Sequence, residues 1–238
     1  MFKAGIFDLD DTIYNYQDLS VMAIENLRHF TCDKLGISEE SFHDAFHKAR
    51  KETKEIPEQV AAQHNRLLYC QKMLENLSVP PVRLSLDMYD VYWNTILDNM
   101  ELHEGVIEVF EWLKKRNIGI AICTDLTAHI QHRKVRKLGI ENYIDVFVSS
   151  EEAGREKPDK RIFHLCLKKL GLNASECFFL GDNYEKDIIG ALNVGITPLW
   201  FRDPLRCALD YPDQITAKSI NNFKGIIDWL EKHEKEKL

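Results

Sequence analysis

Side chains able to do chemistry fall at the ends of four apolar runs. Asp8, Asp10, Asp11 and Thr12 follow the first run, and Thr124 and Asp125 follow the second. Lys157 lies in the loop after the third, and Gly181, Asp182 and Asp187 follow the fourth. Carboxylates are oxygen ligands for a hard divalent cation. A lysine supplies a point charge to an anion. Asp8 and Asp10 are two residues apart, so an extended backbone turns both side chains to the same face. Turns favour Asp, Thr and Gly in any case, so each strand end alone has an ordinary explanation. Four ends that send carboxylates, a hydroxyl and one lysine to one edge are not explained that way.

The elements that carry these residues alternate in type. Residues 2–7 (FKAGIF) read as a buried strand. From about Tyr16 to Met100 the pattern is helical, with Val21, Ile24, Leu27 and Phe30 at helix spacing, and likewise Val60, Leu67, Leu68, Met73, Leu74 and Leu77. Pro57 and Pro80-Pro81 mark helix starts, and Gly36 marks a helix end. The segment 82–100 reads as a further helix. Beyond residue 100, helices near 105–116, 127–138, 159–170 and 184–193 precede apolar runs at 118–123, 143–149, 177–180 and 196–201, and a helix at 222–235 ends the pattern. Runs apolar on both faces and separated by helices indicate a parallel sheet covered on each side. The expected fold is α/β, a three-layer parallel-sheet core with an inserted all-helical unit. The core takes residues 1–15 and 101–238, and the insertion takes 16–100. In such sheets ligands bind beyond the carboxyl ends of the strands.

Composition narrows the function classes. The 238 residues are 45% hydrophobic and 29% charged, with a net charge of -7. That acidic balance disfavours nucleic acid and anionic membranes as partners. No stretch is long and apolar enough for a membrane span, and the first residues lack a secretory pattern, so a cytoplasmic protein is expected. The cysteines at 32, 70, 123, 166, 177 and 207 form no Cys-x-x-Cys pair, which speaks against a zinc site and for reduced thiols.

The ordered set resembles the haloacid dehalogenase superfamily. FDLDDT (7–12) is similar to its Asp-x-Asp-x-Thr motif, and Thr124 after IAIC to its second motif. Lys157 before Pro158 is similar to the third, and GDNYEKD (181–187) to the acidic fourth. The resemblance implies a Rossmann-like core and a C1-type helical cap. It implies a Mg2+-dependent phosphatase acting on a small phosphate ester through an aspartyl phosphate on Asp8. Asp10 would be the acid that protonates the leaving oxygen and then the base for the attacking water. Thr124 would bond a phosphoryl oxygen, Lys157 would steady the phosphoryl group and the carboxylates, and Asp125 would offer its backbone N–H. Asp8, the Asp10 carbonyl and Asp182 would hold the metal, with Asp187 as ligand or orienter. Tyr14, Asn15 and Tyr16 are candidate substrate contacts, as are His47, Arg50, Lys51 and Arg66 in the cap.

Two positions depart from the common pattern. Asp125 stands where many relatives carry Asn, and Lys186 where a small polar residue is usual. Three other functions share the resemblance. A phosphomutase would use the same core residues. A dehalogenase would have no use for Asp10, Asp182 or Asp187. A non-catalytic binding protein would be expected to have lost part of the set.

Overall fold

The structure, a computed structural model, describes residues 2–202 and 217–235. Six strands form one parallel sheet. They are β1 (Ala4–Phe7), β2 (Gly119–Thr124), β3 (Val146–Ser149), β4 (Cys177–Gly181), β5 (Thr197–Phe201) and β6 (Lys218–Ile220), in the spatial order β3-β2-β1-β4-β5-β6. Strand β1 is central. Its Ala4–Phe7 pairs with Gly119–Ile122 on one side and with Cys177–Leu180 on the other. The carboxyl ends of β1, β2 and β4 therefore lie level, and the loops leaving these three strands meet at one edge.

Residues 16–100 contain helices but no described strand. Their long helices are α1 (Tyr16–Leu35), α2 (Glu39–Lys54), α3 (Arg66–Asn76) and α4 (Ser85–Asn99). Asn15 caps α1, accepting from the Asp18 N–H. Gly36 ends it in the left-handed region at φ 63°, as a C-terminal glycine does. The insertion leaves and rejoins the sheet at one place, where His103 N–H donates to the Ile13 carbonyl at 2.9 Å.

Helices α5 (Val106–Lys115), α6 (Ala128–Lys137), α7 (Ser150–Ala153), α8 (Lys160–Leu170), α9 (Gly190–Leu192) and α10 (Lys224–Lys235) follow the alternation expected from the sequence. Successive side chains of a strand leave on opposite faces. Phe7, Ile120, Ile122, Phe178 and Leu180 enter one apolar cluster, whereas Ala4, Ile6, Ala121, Cys123 and Phe179 enter the other. Both faces are thus dry, which is why these strands read as unbroken apolar runs. Leu27, Phe42, Met73, Met88, Trp93 and Ile96 of the insertion belong to the same cluster as Phe7 and Phe110.

Three local expectations need correction, and one strand, β6, lies beyond them. Pro57 does not open a helix: Glu58 has φ 70°, which a helix cannot contain, and the next long helix begins at Arg66. Pro81 opens only a short 3-10 turn, Pro81–Arg83. The segment 184–193 begins as a wide π turn, Tyr184–Ile189, in which the Asn183 carbonyl accepts from both Asp187 and Ile188 N–H. Strand β6 carries one buried residue in three, too weak a signal to be legible. Cys32, Cys70, Cys123, Cys166 and Cys177 are free thiols. Cys207 and residues 236–238 lie outside the described residues. No described helix is long and apolar enough to cross a membrane.

Candidate active site

Asp8 directly follows β1, and its N–H donates to the Leu180 carbonyl at 2.9 Å. The sheet ladder thus continues to the residue that carries the carboxylate. Lys157 Nζ lies 2.6 Å from Asp8 Oδ1 and 2.7 Å from Asp187 Oδ1. All three side chains are buried. Asp8, Asp182 and Asp187 each offer an oxygen, and these oxygens lie within 4.8 Å of one another. Thr12 joins the first and fourth motifs: its hydroxyl donates to Asp182 Oδ1 and accepts from Asp182 N–H, both at 3.1 Å. The turn after β4 aims Asp187 back at the strand end, where Asp187 Oδ2 accepts from Asn183 N–H at 2.9 Å. Position 181 must be glycine for this packing, because an added Cβ would lie 2.4 Å from Asp187 Cγ.

The electrostatics arise from burial. Loss of water pushes the Asp8 carboxyl up to about 7, with Lys157 opposing and Asp187 adding to the rise. Burial also raises Asp182 well above the carboxylate range, and its neighbours Asp187 and Asp8 raise it further. Burial disfavours the Lys157 ammonium, but Asp187 and Asp8 outweigh it and hold Lys157 well above the ordinary lysine range. One lysine does not neutralise three close carboxylates. An all-oxygen set with surplus negative charge fits a hard divalent cation.

Asp10 points elsewhere. Its carboxylate accepts from Lys134 Nζ at 2.7 and 2.9 Å, from Tyr14 OH at 2.5 Å and from Gln131 Nε2 at 3.1 Å. Gln131 Nε2 also reaches Thr124 Oγ1 at 2.6 Å and the Asp125 carbonyl at 2.9 Å. Lys134 and Gln131 are both wholly buried on α6. Sequence reasoning missed them. The one signal was that Gln131 and Lys134 are three residues apart, and so share a face, with Ile130 and Val135 close by. In a helix this rich in basic and histidine side chains, two polar residues of the inner face look like any others.

A cavity of about 220 Å³ opens on the site. Asp8, Asp10, Thr124, Asp125, Lys157, Asp182 and Asp187 all line it, and the insertion adds Tyr16, His64 and Arg66. Asp125 is held by the Lys157 N–H at 2.9 Å and by Lys186 Nζ at 2.8 Å. Lys186 also meets Glu156 at 3.2 Å. The two departures from the common pattern, Asp125 and Lys186, therefore compensate each other in charge. Burial and Asp125 push Glu156 up to about 7. Burial, Lys186 and Arg66 bring His64 down to about 4. Arg66 donates to the His64 carbonyl at 2.8 Å and to Tyr16 OH at 2.6 Å.

Several expected substrate contacts do not reach the cavity wall. Tyr14 is wholly buried and is spent on Asp10, and Asn15 is spent on capping a helix. His47, Arg50 and Lys51 are not among the lining residues. They sit on α2, whose buried face is largely apolar.

Known proteins resemble this chain over most of its length. A ribulose-1,5-bisphosphate 5-phosphatase of Halopiger xanaduensis is 37% identical over 209 residues, 86% of each chain. A glyceraldehyde 3-phosphate phosphatase of Methanopyrus kandleri is 27% identical over 85% of this chain and 84% of its own. A solved structure of a 2-haloacid dehalogenase from Pseudomonas syringae pv. Tomato superposes with a TM-score of 0.78 over 98% of this chain and 99% of that one, at 22% identity, which shows a common fold. The family model of the haloacid dehalogenase-like hydrolases matches residues 2–195, and this chain belongs to that family.

Proposed function

We propose that the protein is a Mg2+-dependent phosphatase of small phosphorylated metabolites, with Asp8 as the nucleophile. The observation that carries this reading is the meeting of Asp8, Asp182 and Asp187 with the buried Lys157 at one strand edge. A phosphate monoester needs in-line attack and charge neutralisation more than covalent help from the protein. Asp8, Asp182, Asp187 and the Asp10 carbonyl would hold Mg2+, which supplies charge stabilisation to the phosphoryl oxygens. Lys157 adds a second positive charge and fixes the Asp8 carboxylate for attack. Thr124, held by Gln131, offers its hydroxyl to a phosphoryl oxygen.

Asp10 gives a proton to the leaving oxygen, then takes one from the water that opens the aspartyl phosphate. The helical segment 16–100 acts as a cap, and its Tyr16, His64 and Arg66 face the substrate. A cavity of about 220 Å³ suits a compact metabolite better than a polymer. The named phosphatase relatives support a sugar phosphate or similarly small ester. A dehalogenase, which expels halide, needs neither the Asp10 proton nor the acidic cluster.

The test is a panel of phosphorylated metabolites and p-nitrophenyl phosphate with purified protein. Hydrolysis should stop in EDTA and return with Mg2+. Full activity without metal, or no phosphate release from any ester, would overturn the reading.

A further inference from the structure

Lys134 is a buried cation on α6, set apart from the Lys157 cluster. Lys134 is 0% exposed, yet its one ion pair among the described residues is with Asp10. Burying an ammonium is unfavourable unless it is paired and bonded. Lys134 meets that demand by bonding both oxygens of a single carboxylate, at 2.7 and 2.9 Å. Tyr14 OH approaches the same carboxylate from its own strand-end loop, and Gln131 Nε2 approaches it from one turn earlier on α6. Three donors from two parts of the chain therefore leave the Asp10 carboxyl little rotational freedom.

The ammonium is itself held in place. It lies 4.8 Å from the centre of the Trp93 ring and 4.9 Å from that of Tyr16, both in the helical insertion, and 5.8 Å from that of Tyr14. Aromatic faces attract cations at such distances. Lys134 thus joins three things: the sheet edge, helix α6, and the insertion that lines the cavity.

We propose that Lys134 is a positioning residue that aims the Asp10 carboxyl at the leaving oxygen, and that the insertion holds it there through Trp93 and Tyr16. This rests on the reading of Asp10 as acid and base. Proton transfer requires hydrogen-bond reach and direction in both half-reactions, so a misaimed Asp10 fails even when present. Gln131 extends the same bracing to Thr124, so that the groups serving the leaving oxygen and the phosphoryl oxygen share one scaffold.

The experiment compares kcat/KM on glycerol 3-phosphate, whose alkoxide must be protonated on leaving, with kcat/KM on p-nitrophenyl phosphate, whose phenolate need not be. Wild type, Lys134→Met, Asp10→Asn and the double variant are measured with Mg2+. Lys134→Met should lower the alkyl-to-aryl ratio at least about tenfold, within the range of general acid catalysis. The same substitution should not lower the ratio further once Asp10 is Asn, because residues acting as a unit are not additive. Equal losses on both substrates, or the same loss in the Asp10→Asn background, would overturn the positioning role and leave the phosphatase reading standing. An Asp10→Asn enzyme with an unchanged ratio would remove Asp10 as the acid, and the inference with it. Lys134→Gln, a shorter and neutral donor that cannot bond both Asp10 oxygens from the same place, serves if Lys134→Met does not fold; a drop in the same direction is expected, and an unchanged ratio would count against the role.

Discussion

Asp8 and its neighbours set the sharpest expectations. Asp8→Asn should abolish turnover, roughly a 10⁴-fold loss or more, because an amide cannot form the acyl phosphate. The melting temperature of the variant should not fall, since the substitution removes a charge that burial disfavours. Activity within about tenfold of wild type would eliminate Asp8 as nucleophile. Protons provide a second test. Without metal the Asp8 carboxyl sits at about 7, and a carboxylate ligand must be ionised, so metal uptake should release protons near that pH. Calorimetry in two buffers of different ionisation enthalpy measures that release. For folding, the sign is opposite to that of an ordinary salt-bridged acid. A carboxyl raised above its unfolded value adds stability at low pH and loses it as pH rises through about 7. Glu156, also at about 7, acts in the same direction. His64, lowered to about 4, loses its contribution as pH falls from its ordinary 6.5 through about 4, so it offsets one of the three raised carboxyls, Asp8, Asp182 and Glu156, there and is silent above. Metal-free protein should therefore lose stability as pH rises from about 5 to about 7, and Mg2+ should reverse the trend. A flat thermal-melt profile in EDTA would contradict this.

The turn after β4 shows how one element sets a site. Gly181 leaves room for Asp187, whose carboxylate then bonds Lys157 and the Asn183 N–H. Gly181→Ala should push Asp187 off the strand end and weaken Mg2+ binding by about tenfold or more, at a stability cost of about 1–3 kcal/mol. Mg2+ titration of the variant decides it, and unchanged affinity would show that Asp187 is not needed there. Burial on both faces of a strand also decides what the sequence makes legible. Strands buried on both faces produce continuous apolar runs, so their ends, and the acids at those ends, can be located by inspection. Asp8, Thr124, Lys157, Asp182 and Asp187 are legible for that reason. Lys134 and Gln131 are not, because their burial depends on how α6 packs against the insertion, and no periodicity of α6 alone records that. Asn15 misleads for a local reason: a residue beside a motif and ahead of a helix serves the helix as its cap.

Across the whole molecule, the insertion and one face of the sheet share a single apolar cluster that runs from Phe7 and Phe110 to Phe42, Met88 and Trp93. Such continuity predicts one cooperative unfolding transition rather than two, with Trp93 in the insertion and Trp112, Trp200 and Trp229 around the sheet reporting the same midpoint. Separate calorimetric peaks would show that the insertion folds by itself. Trp93→Ala should destabilise the whole protein by about 3–5 kcal/mol and not the insertion alone. Tyr16, which packs against that core, lines the cavity together with His64, Arg66 and Asp8.

A phosphoryl group that passes through Asp8 can be caught there by chemical trapping. Enzyme mixed with substrate and Mg2+ is quenched in acid during turnover, reduced with borohydride and analysed by peptide mass spectrometry. Reduction of an aspartyl phosphate converts the side chain to homoserine. The expected result is that conversion at Asp8 and at no other aspartate. An unmodified Asp8 in enzyme that is turning over, or homoserine at Asp10 or Asp182 instead, would contradict it.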